Sequence, residues 1–539
     1  MNLARLAQRR NVARLAPSSN RLIHSSNRLT PSSNRPTPSS NRLTPSSNRP
    51  TPSSNKFTPS SNKFTRSYTR PSVAPKPTLD IRHIRNAPGL YEQNCIARNY
   101  KQQAQHSWRI LELHDKLQLQ QSRSRNLRER NNALRRQLAN PTFRQDHALL
   151  QEAKQLKAEL ADIDHQDKLI NDEIEALALQ LPNLSSLHTP EGHVPVVIEH
   201  INNHPDRSPS SSDRMWRNHV HVGSELDMLD FTASATTSGW GWYFLKNEAA
   251  LLEHALIAYS LSVAMKRGWK VVTPPSIVYS HIAHACGFQP RDQNDEQQIY
   301  QLTQPDKDKN KPSLCLTATA EIPFAGIKAD TVIEEADLPL KIIGASRCYR
   351  AEAGARGIDT KGLYRVHEFT KVEMFAWTMP DNVGDDHFSE PTASASGALF
   401  EEMVAIQRDI LRDLGLHCRV LEMPTTELGA SATRKIDIEA FFPSRREKDE
   451  GWGEVTSASI CTDYQTRRLA TRVKTEKFGR KHEWPHTVNG TALAVPRVLA
   501  AIMEAGWDEE TKSMLIPEVL RPFMGGLERI ERKNRISIQ

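Results

Sequence analysis

Cys348-Tyr349-Arg350-Ala351-Glu352-Ala353-Gly354 and Arg365-Val366-His367-Glu368-Phe369-Thr370-Lys371-Val372-Glu373 belong to one stretch, Lys341 to Trp377. It reads as two β-like runs flanking a Gly-rich loop, Gly354 to Gly362. Side chains alternate across a strand, so Arg350 and Glu352 are predicted on one face of the first run. In the second, Arg365, Phe369 and Glu373 share a face, while Val366, Val372 and Met374 point the other way. The expected sheet surface thus carries two guanidinium groups, two carboxylates and an aromatic ring. Exposed salt bridges on a hairpin would not explain Phe369 among the charges. Arginine forks suit phosphate oxygens and an aromatic plane suits a purine, so nucleotide binding is the better reading.

The flanking segments supply further candidates. Leu245–Arg267 is amphipathic and is closed by Gly268, a C-cap residue. Lys270-Val271-Val272-Thr273 follows as a strand ended by Pro274-Pro275. Leu316-Thr317-Ala318-Thr319-Ala320-Glu321 is expected to be a strand that puts Thr319 and Glu321 on one face, where a hydroxyl and a carboxylate could hold an ammonium group and a small polar substituent. Glu454-Val455-Thr456-Ser457 pairs a carboxylate with a hydroxyl, hard-oxygen ligands for Mg2+. Asn489 through Arg497 reads as a loop entering a helix, whose N-terminus together with an arginine favours an anion. Residues 215–530 mix apolar helices with short β-branched runs without regular βαβ alternation, predicting an α+β domain on a mainly antiparallel sheet.

Residues 100–181 follow a different period. Leu149, Ala153, Leu156, Leu160, Ile163, Ile170, Ile174, Leu177 and Leu181 keep the spacing of a heptad seam, broken at Asp167. Ile110, Leu113, Leu117, Leu127, Leu134 and Leu138 continue the pattern upstream, interrupted by Gln120, Ser124 and Asn131. Asn140-Pro141 separates the two runs, because proline ends one helix and permits another to start. The prediction is a long antiparallel helical hairpin, each helix roughly 55–60 Å long at 1.5 Å per residue. Arg123, Arg125, Arg128, Arg130, Arg135 and Arg136 cluster near its tip, opposed locally only by Glu129. A single-sign cluster at the end of an arm suits phosphate contacts. Pro182 ends the arm, and 182–214 is rich in Pro, His, Ser and Asn, as a linker is.

The chain has 539 residues, 25% charged and 38% hydrophobic, with no run of 18 apolar residues. No membrane partner is expected. Its net charge of +8 is unevenly placed: 14 Lys and Arg precede the first acidic residue, Asp80, leaving −6 for residues 80–539. The first 16 residues set Leu3, Leu6, Val12 and Leu15 among Arg5, Arg9, Arg10 and Arg14 without an acid, which reads as a mitochondrial transit peptide. From Arg21 to Asn62 a seven-residue unit, variants of Arg-Leu-Thr-Pro-Ser-Ser-Asn, repeats six times. Its Pro and Ser forbid a coiled coil, and it buries too little apolar surface to offset ordering. The six cysteines lie far apart, offering neither a zinc cluster nor a disulfide framework, and are expected to be buried thiols.

Taken together these motifs resemble the seryl-tRNA synthetases, class II aminoacyl-tRNA synthetases, from about Leu79 to Phe523. The likeness begins at Leu79-Asp80-Ile81-Arg82-His83-Ile84-Arg85 and continues through the arm. Motif 1 matches the helix and strand ending at Pro274-Pro275, motif 2 the opening stretch, motif 3 Asn489 through Arg497, and Ile516–Pro522 the family's close. The resemblance implies that Arg350 holds the α-phosphate of ATP, that Glu352 meets the adenine amino group and that Phe369 stacks on the base. Arg365 and Arg497 would reach the outer phosphates, with Ala351, Val366, Val455 and Thr456 also in the ATP site. Glu454 and Ser457 would bind Mg2+. Thr319, Ala320, Glu321, Glu373 and Thr491 would surround L-serine, with Asn489 nearby. The arm's six arginines would grip tRNA(Ser), and motif 1 would support a homodimer.

The implied division is 1–78 transit peptide and low-complexity repeat, 79–181 tRNA-binding arm, 182–214 linker, 215–530 catalytic domain and 531–539 tail, in a protein of the mitochondrial matrix. Pro496 stands where the family often has glycine, residues 380–397 read as an insertion, and the N-terminal repeats have no family counterpart. A non-catalytic paralogue would be expected to lose charges from the nucleotide face, and all remain. Another class II synthetase would differ at Thr319, Glu321 and Glu373.

Overall fold

The arm forms as two helices, α1 (His106–Leu138) and α2 (His147–Gln180). Asn140 and Asp146 make the turn: the Asn140 carboxamide accepts from Thr142 N, and Asp146 caps α2 by accepting from the N–H groups of Ala148 and Leu149. At 33 and 34 residues each helix is about 50 Å long. Ile110, Leu113, Leu117 and Leu134 bury in α1, and Leu160, Ile163, Ile170 and Ile174 in α2. The polar Ser124 is also buried in the seam, its hydroxyl satisfied by the Gln121 carbonyl of its own helix. The computed structural model describes residues 71–203, 217–288, 298–308, 311–352, 362–381, 394–447, 449–475 and 482–532. The leader and repeats, the loop 353–361, residues 382–393 of the expected 380–397 insertion and the tail 533–539 lie outside them.

Beyond the arm, β1 (Val196–Ile201) is one edge of an eight-stranded sheet. Helix α3 (Asn247–Met265) turns at Gly268 (φ +81°) into β2 (Lys270–Val271), the other edge. A short helix, α4 (Glu321–Gly326), precedes the long hairpin strands β3 (Leu340–Tyr349) and β4 (Glu368–Thr378). There follow α5 (Ala395–Asp413), β5 (Cys418–Glu422), β6 (Arg434–Phe441), β7 (Trp452–Thr462), α6 (Tyr464–Leu469), β8 (His486–Ala494) and α7 (Val495–Gly506).

The sheet order is β1-β5-β6-β7-β8-β4-β3-β2, antiparallel throughout except where β2 runs parallel to β3. This is the α+β, mainly antiparallel architecture expected. Helices α3, α5 and α7 cover one face: Leu252, Leu256, Phe400, Met403, Val498 and Leu499 pack on Val372, Met374, Val455 and Ala492 in one apolar cluster. At β3 the chain must be glycine, since a Cβ on Gly344 would stand 1.9 Å from the Val272 carbonyl oxygen. All six cysteines are buried free thiols.

Four local expectations are corrected. Leu316–Glu321 is not a strand: the strand covers Leu314–Leu316, and the chain then turns into α4. The Thr317 hydroxyl donates to Thr319 O and the Thr319 hydroxyl accepts from Glu321 N, so local hydroxyl bonds replace the ladder. The first motif 2 run ends at Tyr349, and Glu352 adopts φ +50°, so Arg350 and Glu352 are loop residues rather than strand neighbours. Arg365 and Val366 precede β4, and strand alternation does not govern them. Asn489–Ala494 is an interior strand instead of a loop, and helix α7 begins at Val495 with Pro496 in its first turn.

Candidate active site

Residues of β4, β7 and β8, with the loop after β3 and the start of α7, line a cleft of about 530 Å3. Arg350, Glu352, Arg365, Val366 and Phe369 line it from motif 2, Glu454, Val455, Thr456 and Ser457 from β7, and Thr491 and Arg497 from motif 3. Segments far apart in sequence therefore converge on one chamber. The Arg350 guanidinium lies over the Phe369 ring, 5.2 Å from its centroid. Glu352 and Arg365 approach to 3.7 Å across the mouth of the loop.

Two β-bulges set the side-chain directions. On β7 the register moves from Ile438↔Thr456 to Glu439↔Glu454, leaving Val455 unpaired. Regular alternation would put Glu454 and Ser457 on opposite faces; the extra residue brings both to the cleft side, half-exposed, while Val455 and Thr456 are buried. On β8 the register moves from Val372↔Leu493 to Glu373↔Thr491, skipping Ala492. Thr491 then opposes Glu373, and its hydroxyl donates to Glu373 Oε2 at 3.2 Å.

Arg497, in the first turn of α7, donates to Tyr364 O at 3.1 Å and to both Glu454 O and Glu454 Oε2 at 3.0 Å. The Tyr364 ring lies under the Arg497 and Arg445 guanidinium groups, 4.6 and 4.0 Å from its centroid. Burial works against the Glu454 charge, but Arg497, Lys435 and Arg350 outweigh it and hold the carboxyl down to about 2. Glu454 is thus a fixed anion at the cleft wall.

Thr319, Ala320, Glu321, Glu373, Asn489 and Ala351 are not among the residues lining this cleft. Thr319, Ala320, Glu321 and Glu373 are buried. Glu373 is almost wholly buried, held by Thr491 and by Lys371 Nζ at 2.7 Å. Glu321 is buried at the start of α4, where burial and the Glu373 charge push its carboxyl up to about 8, against Lys371, Gln465 and Arg350. Thr319 and Ala320 are buried beside it. Asn489 Oδ1 accepts from the Cys461 thiol at 3.3 Å on neighbouring β7. Ala351 donates its backbone N–H to Gln298 O at 2.9 Å.

Sequence reasoning passed over Lys371, Tyr364 and Gln465. The alternation that selected Phe369 and Glu373 would also have selected Lys371, which lines the cleft between them. Nothing local marks Tyr364 or Gln465. On the arm, three of the six arginines are paired across the hairpin: Arg123–Glu159 at 3.3 Å, Arg128–Asp164 at 2.7 Å and Arg130–Glu152 at 2.7 Å. The cluster is therefore half neutralised by the acidic second helix. Arg125, Arg135 and Arg136 are exposed and have no ion-pair partner among the described residues.

A helix-backed antiparallel sheet with arginines, carboxylates and an aromatic ring gathered in one cleft defines a class II aminoacyl-tRNA synthetase core, and residues 300–506 match the family described as tRNA synthetase class II core domain (G, H, P, S and T). Residues 78–185 match the seryl-tRNA synthetase N-terminal domain. The chain belongs to the seryl-tRNA synthetases, ligases that join serine to its tRNA. It is 46% identical to the mitochondrial serine–tRNA ligase of Saccharomyces cerevisiae over 57% of this chain and 64% of that relative. With the serine–tRNA ligase of Treponema denticola it shares 35% identity over 83% of its own length and 99% of the relative's. The crystal structure of seryl-tRNA synthetase from Pyrococcus horikoshii complexed with ATP superposes with a TM-score of 0.72 at 28% identity, covering 85% of this chain and all of that one.

Proposed function

We propose that the cleft binds ATP with Mg2+ and that the buried carboxylates Glu321 and Glu373 bind L-serine, so that the chain makes seryl-adenylate and passes serine to tRNA(Ser). One observation carries this reading: Arg350, Phe369, Glu454, Ser457, Thr491 and Arg497, drawn from four separate segments, line a single chamber. Serine's carboxylate oxygen attacks the α-phosphorus of ATP, the bond to the bridging oxygen breaks, and pyrophosphate leaves. A terminal ribose hydroxyl of the tRNA then attacks the seryl carbonyl and AMP departs. No side chain becomes a covalent nucleophile. Arg350 is assigned to the α-phosphate, where charge grows during attack, and Arg365 and Arg497 to the outer phosphates. Phe369 is assigned to the adenine face, Glu352 to its amino group, and Ala351, Val366, Val455 and Thr456 to the surrounding wall.

Glu454 and Ser457 fit Mg2+, because the Val455 bulge sets a permanent carboxylate and a hydroxyl on the same side. Two protein oxygens suit a cation that completes its octahedron with phosphate and water. Bound there it would neutralise phosphate charge. Thr319, Ala320, Glu321, Glu373, Thr491 and Asn489 are assigned to serine, the carboxylates to its ammonium group.

Outside the cleft, Arg125, Arg135 and Arg136 lead the six arm arginines as tRNA contacts, since their charges are uncommitted among the described residues. Exposed Leu251 and Met265 on α3 and Val271 on β2 support motif 1 as a homodimer surface. The mitochondrial relative and the Arg-rich, acid-free leader support a place in the mitochondrial matrix, and the division at 78, 181, 214 and 530 is kept. ATP–pyrophosphate exchange measured with serine, threonine, proline and alanine tests the function. Exchange with serine alone is expected; exchange driven by another amino acid, or by none, would overturn it.

A further inference from the structure

One buried polar side chain next to the serine carboxylates has no part in the reading above. Gln465 lies on α6, fully buried. Its Nε2 donates to Glu321 Oε1 at 2.7 Å, and its Oε1 accepts from the Thr487 hydroxyl on β8 at 2.6 Å. Both ends of the amide are therefore bonded, and the carboxylate fixes which end is the nitrogen. The helix carrying it is anchored elsewhere. The Thr466 hydroxyl donates to Pro485 O at 2.8 Å, and Arg468 Nη2 donates to Leu181 O at the base of the arm at 3.3 Å. Gln465 thus reaches Glu321 from a helix tied to the approach to β8 and to the base of the arm as well as packed on α4.

Two side chains in contact inside a protein need no functional explanation, but the partner here is a buried carboxylate whose described side-chain hydrogen bond comes from Gln465. Glu373, Lys371 and Arg350 face Glu321 from the β3–β4 side, the Cys286 and Cys461 thiols lie near, and Gln465 is the neutral donor in direct contact. Burial and Glu373 oppose ionisation, while Lys371, the amide N–H of Gln465 and Arg350 favour it. We propose that Gln465, itself steadied by Thr487, is a positioning residue for amino-acid recognition, holding the Glu321 carboxyl in place and easing its ionisation as the substrate's ammonium group binds. This rests on the assignment of Glu321 to serine. A carboxylate that has lost its donor takes up a proton more readily, and a neutral acid is a poor ammonium partner.

The test is serine-dependent ATP–pyrophosphate exchange between pH 6.5 and 9, with KM for serine and for ATP determined separately in the full chain. Gln465→Leu is expected to raise the serine KM about tenfold near pH 7, as loss of a hydrogen bond to a charged group would, and to leave the ATP KM within about twofold. The defect should shrink as pH rises and Glu321 ionises unaided. Thr487→Val should move the serine KM the same way by a smaller factor, and it carries the test alone if the leucine variant does not fold. Glu321→Gln separates the two readings. A serine KM unchanged in Glu321→Gln removes the assignment of Glu321 itself. If that variant is impaired while Gln465→Leu and Thr487→Val match wild type, the role of Gln465 is overturned. Equal loss of serine and ATP affinity without recovery at high pH would mark Gln465 as structural only, and also overturns it.

Discussion

Arg497 Nη1 stands 3.0 Å from Oε2 of Glu454, so the cation assigned to the outer phosphates and the carboxylate assigned to Mg2+ neutralise each other across the cleft. Magnesium–ATP carries both complementary charges: its phosphates can take Arg497 and its cation can take Glu454. Replacing Glu454 by Gln keeps the shape and removes the charge. The Mg2+ concentration for half-maximal exchange is then expected to rise at least about tenfold. A titration of Mg2+ at fixed ATP checks this, and an unchanged midpoint would move the metal elsewhere.

Arg350 is the next charge to test. Its guanidinium already lies over the Phe369 ring, at the junction between the proposed base and phosphate positions. Arg350→Ala should lower serine-dependent exchange by about 100-fold or more, since its assigned contact strengthens as charge develops. Near-normal exchange would refute its role.

Phe369 is assigned to stacking rather than to charge. Base–aromatic stacking contributes roughly 1–3 kcal/mol, so Phe369→Ala should raise the ATP KM by about 5- to 150-fold and Phe369→Trp should largely retain it. Steady-state exchange at varied ATP distinguishes these, and an ATP KM in Phe369→Ala equal to wild type would place the adenine elsewhere.

Glu321 also leaves a signature in stability. Its carboxyl rises from an ordinary value of about 4.5 to about 8 on folding, so between those pH values the folded chain keeps a proton that the unfolded chain releases. Stability must then fall as pH climbs through that window. Glutamine cannot titrate, so Glu321→Gln should show a smaller decline in Tm from pH 5 to pH 8.5 than wild type. Parallel Tm–pH curves for the two proteins would contradict the raised value.

On the arm, paired and uncommitted arginines should behave differently. Arg135→Ala or Arg136→Ala should weaken tRNA(Ser) binding and reduce the slope of log affinity against log salt by about one each, while adenylate formation is unchanged. Arg130→Ala, whose charge is matched by Glu152, should have less effect on that slope. Filter binding across a salt series measures both, and identical slopes for all variants would remove the arm cluster from tRNA contact.

Local backbone geometry is what the sequence by itself determined. The heptad seam and Asn140-Pro141 specified a two-helix arm, because a helix buries residues at a fixed spacing and proline interrupts it wherever it falls. Phe369 was legible as a cleft residue for the same reason, and Glu373 as its partner on one strand face, bonded to the cleft-lining Thr491 and Lys371. Prediction failed where that periodicity stops. Thr319 to Glu321 make a hydroxyl-bonded turn instead of a strand, and Glu454 and Ser457 share a side only because Val455 bulges. Only the tertiary structure set Gln465 on Glu321, Glu454 on Arg497 and Arg128 on Asp164. Such pairs join segments remote along the chain, and their contact depends on how whole strands and helices pack, for which no short stretch of sequence carries a signal.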